Sequence, residues 1–159
     1  MVIDIGSEND LLGLSLSNFQ PYDFIFDGIE CSSMEGLLQS FKFQDPELQI
    51  KICQLVGVKA KFKGKKSKWF QHQKLYWLGK EYARDSKEYQ ELLDRAFDAL
   101  SSNLDFFEAL KKTSDKKLIH SIGKSQINLT CLTEDEFCSR LMNIRDNYPQ
   151  KTDSNILEI

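Results

Sequence analysis

The chain has 159 residues, 41% hydrophobic content, eleven phenylalanines and a formal net charge of −3. That length suits one domain with a real core, and the composition is that of a folded globule rather than a disordered chain. The slightly acidic balance excludes a protein that coats nucleic acid over its whole surface, and no apolar run approaches the roughly 20 residues a membrane span needs.

The N-terminus lacks the basic-then-apolar layout of a signal peptide, so a cytoplasmic location without a membrane partner is expected. Cys31, Cys53, Cys131 and Cys138 form no C-x-x-C pair and have no histidine at ligand spacing. They are expected to be reduced structural thiols, with no metal and no other cofactor.

Residues 1–13 are weakly patterned, with Gly6 and Gly13 as breakers. In Leu16-Ser17-Asn18-Phe19-Gln20-Pro21 the proline biases its neighbour towards extended geometry. Phe24-Ile25-Phe26 and Ile29-Glu30-Cys31 flank Asp27-Gly28, a pair that readily takes two positive φ angles, and predict a short hairpin. A helix follows within Ser33 to Phe43. Asp45 as N-cap with Pro46 at the first helical position predicts a helix to about Val56.

Residues 57–68 break the pattern and carry six lysines around Gly64, predicting a lysine-rich loop. A helical stretch is expected from about Trp69 to Ala83. Ser86 caps an amphipathic helix marked by Tyr89, Leu92, Leu93, Ala96, Phe97 and Leu100. Asn103 caps another with Leu104, Phe107 and Leu110. Leu118-Ile119-His120 reads as a strand, and Thr133-x-x-Glu136 as a capping box before a helix buried through Phe137, Leu141 and Ile144. The sum is an α+β fold: a mostly helical single domain over residues 1–148 with a small β-sheet or hairpin, then a polar tail over 149–159.

Glu35, Gln39 and Lys42 are four and three residues apart, which places them on one helical face beside an apolar face of Met34, Leu37, Leu38 and Phe41. Such a row is either a solvated face or a grip on a polar ligand, and spacing alone does not choose. The lysines, with Phe62, Trp69 and Phe70 nearby for stacking, fit a nucleic-acid contact, a solvated loop or a cationic rim for one ligand's phosphates. Overall acidity favours the rim, which needs only two or three charges. There is no P-loop Gly-Lys-Ser/Thr and no G-x-S-x-G, and His72 and His120 lie far apart, so a nucleophile triad lacks support.

Taken in order, Leu16-Ser17-Asn18-Phe19, Pro21, Phe24, Asp27-Gly28, Met34-Glu35 and Gln39-x-x-Lys42 resemble the opening of the NADAR (YbiA-like) family. That family typically runs L-S-N-F, a short hairpin ending in glycine, then a helix bearing E-H-Y-x-Q-x-x-K. Ala60-Lys61-x-x-Gly64-Lys65 resembles its A-k-x-x-G-R loop, Trp69 the tryptophan that follows, and Leu141-Met142-x-x-Arg145 its closing L-M-x-x-R. The resemblance spans residues 14–147. Three departures stand out. Glu35-Gly36-Leu37-Leu38 replaces E-H-Y-Y, Lys65 replaces the loop arginine, and Leu118 to Lys124 replaces a D-x-x-W-G segment.

The resemblance implies a YbiA-like fold and cleavage of an N-glycosidic bond in a ribosylated substrate. The substrate would be ADP-ribose on a guanine base, or a ribosylaminopyrimidine phosphate of riboflavin biosynthesis. Glu35 and Lys42 are then the catalytic candidates. A carboxylate can stabilise the oxocarbenium-like transition state while orienting or deprotonating water. Lys42 can act as a cation on phosphate or Glu35, or as an amine attacking the anomeric carbon. Asn18, Phe19, Gln39, Lys61, Gly64, Lys65, Trp69 and His120 are the expected ligand contacts. The expected partner is an ADP-ribose-type nucleotide, free or on DNA or RNA. The alternative is a non-catalytic module binding ADP-ribose or nucleic acid through a degenerate site.

Overall fold

A computed structural model describes residues 1–147 with their side chains and carries the backbone of the last helix to Leu157. The expected polar tail, 149–159, lies outside the residues so described.

Strand β1 (Val2–Asp4) leads into a short helix α1 (Leu11–Ser15) capped by the Asp10 carboxylate. The apparently patternless N-terminus is therefore structured. Its strand pairs in parallel with β6 (Lys117–Ile119), Ile3 lying opposite Leu118, a partner more than a hundred residues away. The expected hairpin forms as β2 (Phe24–Phe26) and β3 (Ile29–Cys31), with Asp27 at φ 49° and Gly28 at φ 80°.

Helix α2 (Met34–Ser40) starts at Ser33, whose hydroxyl accepts from the Gly36 N–H and donates to the Leu55 carbonyl. Helix α3 (Pro46–Cys53) begins at the Asp45 cap and ends three residues earlier than expected, at a Gln54 whose N–H bonds tightly back to Lys51. The two helices meet at Gly36. A Cβ there would stand 2.7 Å from the Leu55 carbonyl oxygen and 2.8 Å from that of Ile52. Only glycine permits this approach, which accounts for the absence of the bulky histidine of the E-H-Y pattern.

Two expectations are corrected between α3 and the next long helix. The lysine-rich segment is a helix, α4 (Gly57–Lys65), not a loop. It has no side-chain cap, but Gly57, Ala60 and Gly64 recur at helical spacing as a buried stripe, Gly57 beside Phe19 and Gly64 against Gln39 of α2. The stretch from Trp69 to Ala83 is helical only through α5 (Trp69–His72), after which Gln73 enters the left-handed region. A second hairpin follows, β4 (Lys74–Trp77) and β5 (Lys80–Ala83). Its turn places Leu78 at φ 45° and Gly79 at φ 90°, and leucine is not a residue that announces such a turn.

What holds Leu78 there is Gln49. Its Oε1 accepts from the Leu78 N–H, while Nε2 donates to the carbonyls of Ser40, Phe43 and Tyr76. One buried amide thus fastens the second hairpin to the end of α2.

Helix α6 (Lys87–Leu100) buries the six apolar residues named for it and forms the middle of the core. Helix α7 (Leu104–Lys111) faces inward through Phe106, Phe107, Ala109 and Leu110. Leu104, expected on that face, is exposed because the Asn103 cap sets the first turn outward. A single 3-10 turn (Ile127–Leu129) precedes α8 (Glu134–Leu157), whose capping box is present in both directions between Thr133 and Glu136. All four cysteines are buried free thiols. Among the described residues no helix is long and apolar enough to cross a membrane.

Candidate functional site

The polar row of α2 is not a solvated face. Every residue from Met34 to Ser40 is buried, so Glu35 and Gln39 are enclosed polar groups in the centre of the fold. Buried polar groups cost stability unless they are paired. Gln39 Nε2 donates to Glu35 Oε1 at 2.8 Å, four residues apart on the helix. Gln39 Oε1 is buried with no hydrogen-bond partner, and so is Asn18 Oδ1. The Asn18 backbone carbonyl accepts the Glu35 N–H, so these two residues are adjacent. The result is a carboxylate flanked by two unpartnered acceptors.

Helix α4 closes one side. A Cβ on Gly64 would overlap Gln39 Oε1, so glycine lets the helix lie this close while Gln39 keeps its bond to Glu35. Lys61, one turn earlier, reaches the same region with Nζ 5.9 Å from the centre of the Phe19 ring. Lys42 follows the end of α2, its Nζ 5.9 Å from the centre of the Trp69 ring. Ser67 sets this wall by donating to the Lys42 carbonyl and accepting the Trp69 N–H.

His120 comes from beyond β6. Its Nδ1 lies 2.7 Å from the Ile5 carbonyl, which can only accept, so Nδ1 is the donor of this bond. Gly6 and Gly123 border the imidazole closely enough that a Cβ on Gly123 would overlap it. Phe137 meets the ring edge-on.

Burial pushes the Glu35 carboxyl above the ordinary glutamate range, more strongly than the Gln39 hydrogen bond and the charges of Lys42, Lys61 and His120 pull it back. Those three groups come from different parts of the chain, and each is near enough to act on the same carboxylate. Burial also raises the Cys131 thiol, on which both Lys42 and Glu35 act.

The fold therefore gathers Asn18, Phe19, Glu35, Gln39, Lys42, Lys61, Gly64, Trp69 and His120 around one point. Lys65 stands apart, its Nζ 5.5 Å over the exposed Phe62 ring. Trp69 is largely buried and serves as wall more than as open platform. Arg145 of the closing motif holds Thr113 Oγ1 and the Lys116 carbonyl, tying α8 to the approach of β6.

Sequence reasoning missed the support behind Cys131. Arg84, 2% exposed, bonds both carboxylate oxygens of Glu136 and the Thr130 carbonyl. Tyr89 donates to the Cys131 carbonyl at 2.6 Å. The capping box revealed Glu136, but no local spacing links it to an arginine 52 residues away.

This arrangement of helices and small hairpins, with a buried carboxylate row facing a lysine helix, defines a YbiA-like α+β domain. The NMR structure of the Escherichia coli protein YbiA superposes with a TM-score of 0.63 over 96% of this chain and 87% of that one, at 17% identity. The family model described as bacteriophage protein GP30.3 matches residues 11–146, and the chain belongs to that family. A 17.1 kDa protein in the Gp30-rIII intergenic region of enterobacteria phage T4 is 37% identical over 136 residues, covering 84% of this chain and 90% of its own length.

Proposed function

We propose that the chain is an N-glycosidase that hydrolyses the C1′–N bond of an ADP-ribosylated base, or of a related ribosylamino compound. The observation that carries this reading is Glu35: a buried carboxylate with a raised pKa, set among Lys42, Lys61 and His120 beside two unpartnered acceptors. A raised pKa makes a stronger base once the proton is lost, as activation of water requires. Negative charge held in a dry site also stabilises the oxocarbenium character that develops at C1′. Asn18 Oδ1 lacks a donor, which a ribose hydroxyl supplies, whereas Gln39 Oε1 is packed against Gly64 and Gln39 serves to hold Glu35 through Nε2. Lys61 offers a cation to phosphate.

In this scheme water adds to C1′, its proton passes to Glu35, and the base leaves with the bonding electrons. Lys42 either pairs with phosphate or attacks C1′ through its amine, the base leaving with the bonding electrons and the sugar ring opening to a Schiff base that water then hydrolyses. Borohydride reduction of a reacting mixture separates these roles, because only the covalent route leaves a modified Lys42. The functional test is release of free ADP-ribose from ADP-ribosylated guanine DNA, followed by mass spectrometry. Wild type should release it and Glu35→Gln should not. Binding of ADP-ribose without any release by wild type would replace the enzyme with a binding module, and equal release by Glu35→Gln would remove Glu35 from the chemistry.

A further inference from the structure

Charge along the chain is strongly segregated. Residues 48–80 hold nine lysines and no aspartate or glutamate, a local +9 in a protein of net −3. Much of this charge is displayed by α4 and the turn after it. While Gly57, Ala60 and Gly64 are buried, the chain exposes Lys59, Lys61, Lys65 and Lys66, followed by Lys68. Among the described residues none of these five takes part in a salt bridge. Between them stand Phe62, 62% exposed, and beyond them Phe70, 55% exposed. The core uses neither ring.

One bound nucleotide accounts for two or three cations, and Lys61, near enough to act on Glu35, supplies one. The surplus lysines lie further out, on or just after the same helix that packs on Gln39 through Gly64. A row of cations without carboxylate partners, interleaved with exposed aromatic rings, matches a repeating anion with flat groups between its charges. Bases must be unstacked to reach such rings or to enter an enclosed site, which favours a single strand over a duplex.

We propose that the outer face of α4, with Phe62 and Phe70, is a docking track for single-stranded nucleic acid. The charge and the exposed rings carry this independently of the glycosidase reading, and strand binding can be measured without turnover.

The test is fluorescence anisotropy with an unmodified, labelled single-stranded oligonucleotide across a salt series. Each phosphate neutralised contributes about −0.7 to the slope of log affinity against log salt. The variant Lys59→Gln/Lys66→Gln/Lys68→Gln should flatten the slope by about 2 and leave melting unchanged. Phe62→Ala should weaken binding about tenfold through lost stacking. The oligonucleotide carries no cleavable group, so loss of the catalytic reading would leave this result standing. Unchanged affinity and slope in the triple variant would overturn the proposal. So would tighter binding of the duplex form, or equal salt-dependent binding to polyglutamate or to anionic vesicles.

Discussion

Gly64→Ala tests whether α4 lies against the site as closely as described. Ala is the better helix former, and in an exposed helix interior the change would stabilise by roughly 1 kcal/mol. Here the added Cβ would overlap Gln39 Oε1 and stand 2.6 Å from Cδ. Gln39 is the far end of a flexible side chain, so the overlap itself is relieved by rotation. The larger cost is what that rotation removes: the 2.8 Å hydrogen bond to buried Glu35. A bond to a charged acceptor contributes roughly 1.5–3 kcal/mol, and an off-rotamer side chain costs about 1. The balance is a net loss of about 2 kcal/mol. Urea titration should show it as a lower midpoint with unchanged m-value, and Tm should fall by roughly 4–8 °C. In a Gln39→Ala background the obstruction is gone, so Gly64→Ala should become neutral or stabilising. A Gly64→Ala protein as stable as wild type, with the same effect in both backgrounds, would refute the close packing of α4 on Gln39.

The raised Glu35 carboxyl has a pH signature. Its folded-state pKa exceeds the unfolded value near 4.5, so stability is greatest below about that pH and falls as pH rises through the folded value. Glu35→Gln should therefore be more stable than wild type at neutral pH, with the gap closing in acid, as thermal melts across pH would show. For Glu136, burial alone would raise the carboxyl, but hydrogen bonds from Arg84, Gln90 and the Thr133 N–H outweigh it and hold the pKa low. Its contribution is present above about 4.5 and lost as pH falls through the folded value. Arg84→Ala should cost roughly 3–5 kcal/mol by denaturant titration, because it strands a buried carboxylate. Gln49→Leu should cost about 2–4 kcal/mol, since it leaves buried carbonyls and the Leu78 N–H unpaired. Amide exchange should then rise first across the second hairpin.

Much of the fold was legible locally. The Asp27-Gly28 turn, the Ser86, Asn103 and Asp45 caps, the Thr133–Glu136 box and the apolar face of α6 all act within a few residues. Such devices satisfy nearby backbone groups wherever the rest of the chain goes. The row of Glu35, Gln39 and Lys42 was equally plain as a row, and the family resemblance gave it a chemical meaning. Its burial was not legible, because one helix presents the same spacing whether its polar side meets water or another helix.

Local pattern misled where distant contacts decide. The lysine segment is helical because Ala60 and Gly64 rest on α2, and Leu78 turns because Gln49 holds its N–H. The first strand exists because β6 completes its hydrogen bonds from more than a hundred residues away. By itself, then, the sequence determined the caps, the first hairpin, the core helix and the identity of the polar row. Only the tertiary structure decided that Glu35 is enclosed, that His120 and Lys61 act on it, and that Arg84 supports the loop behind it. The reason is physical. Caps and turns close over a few bonds, whereas a carboxylate's pKa and an acceptor's lack of a partner depend on everything packed around it.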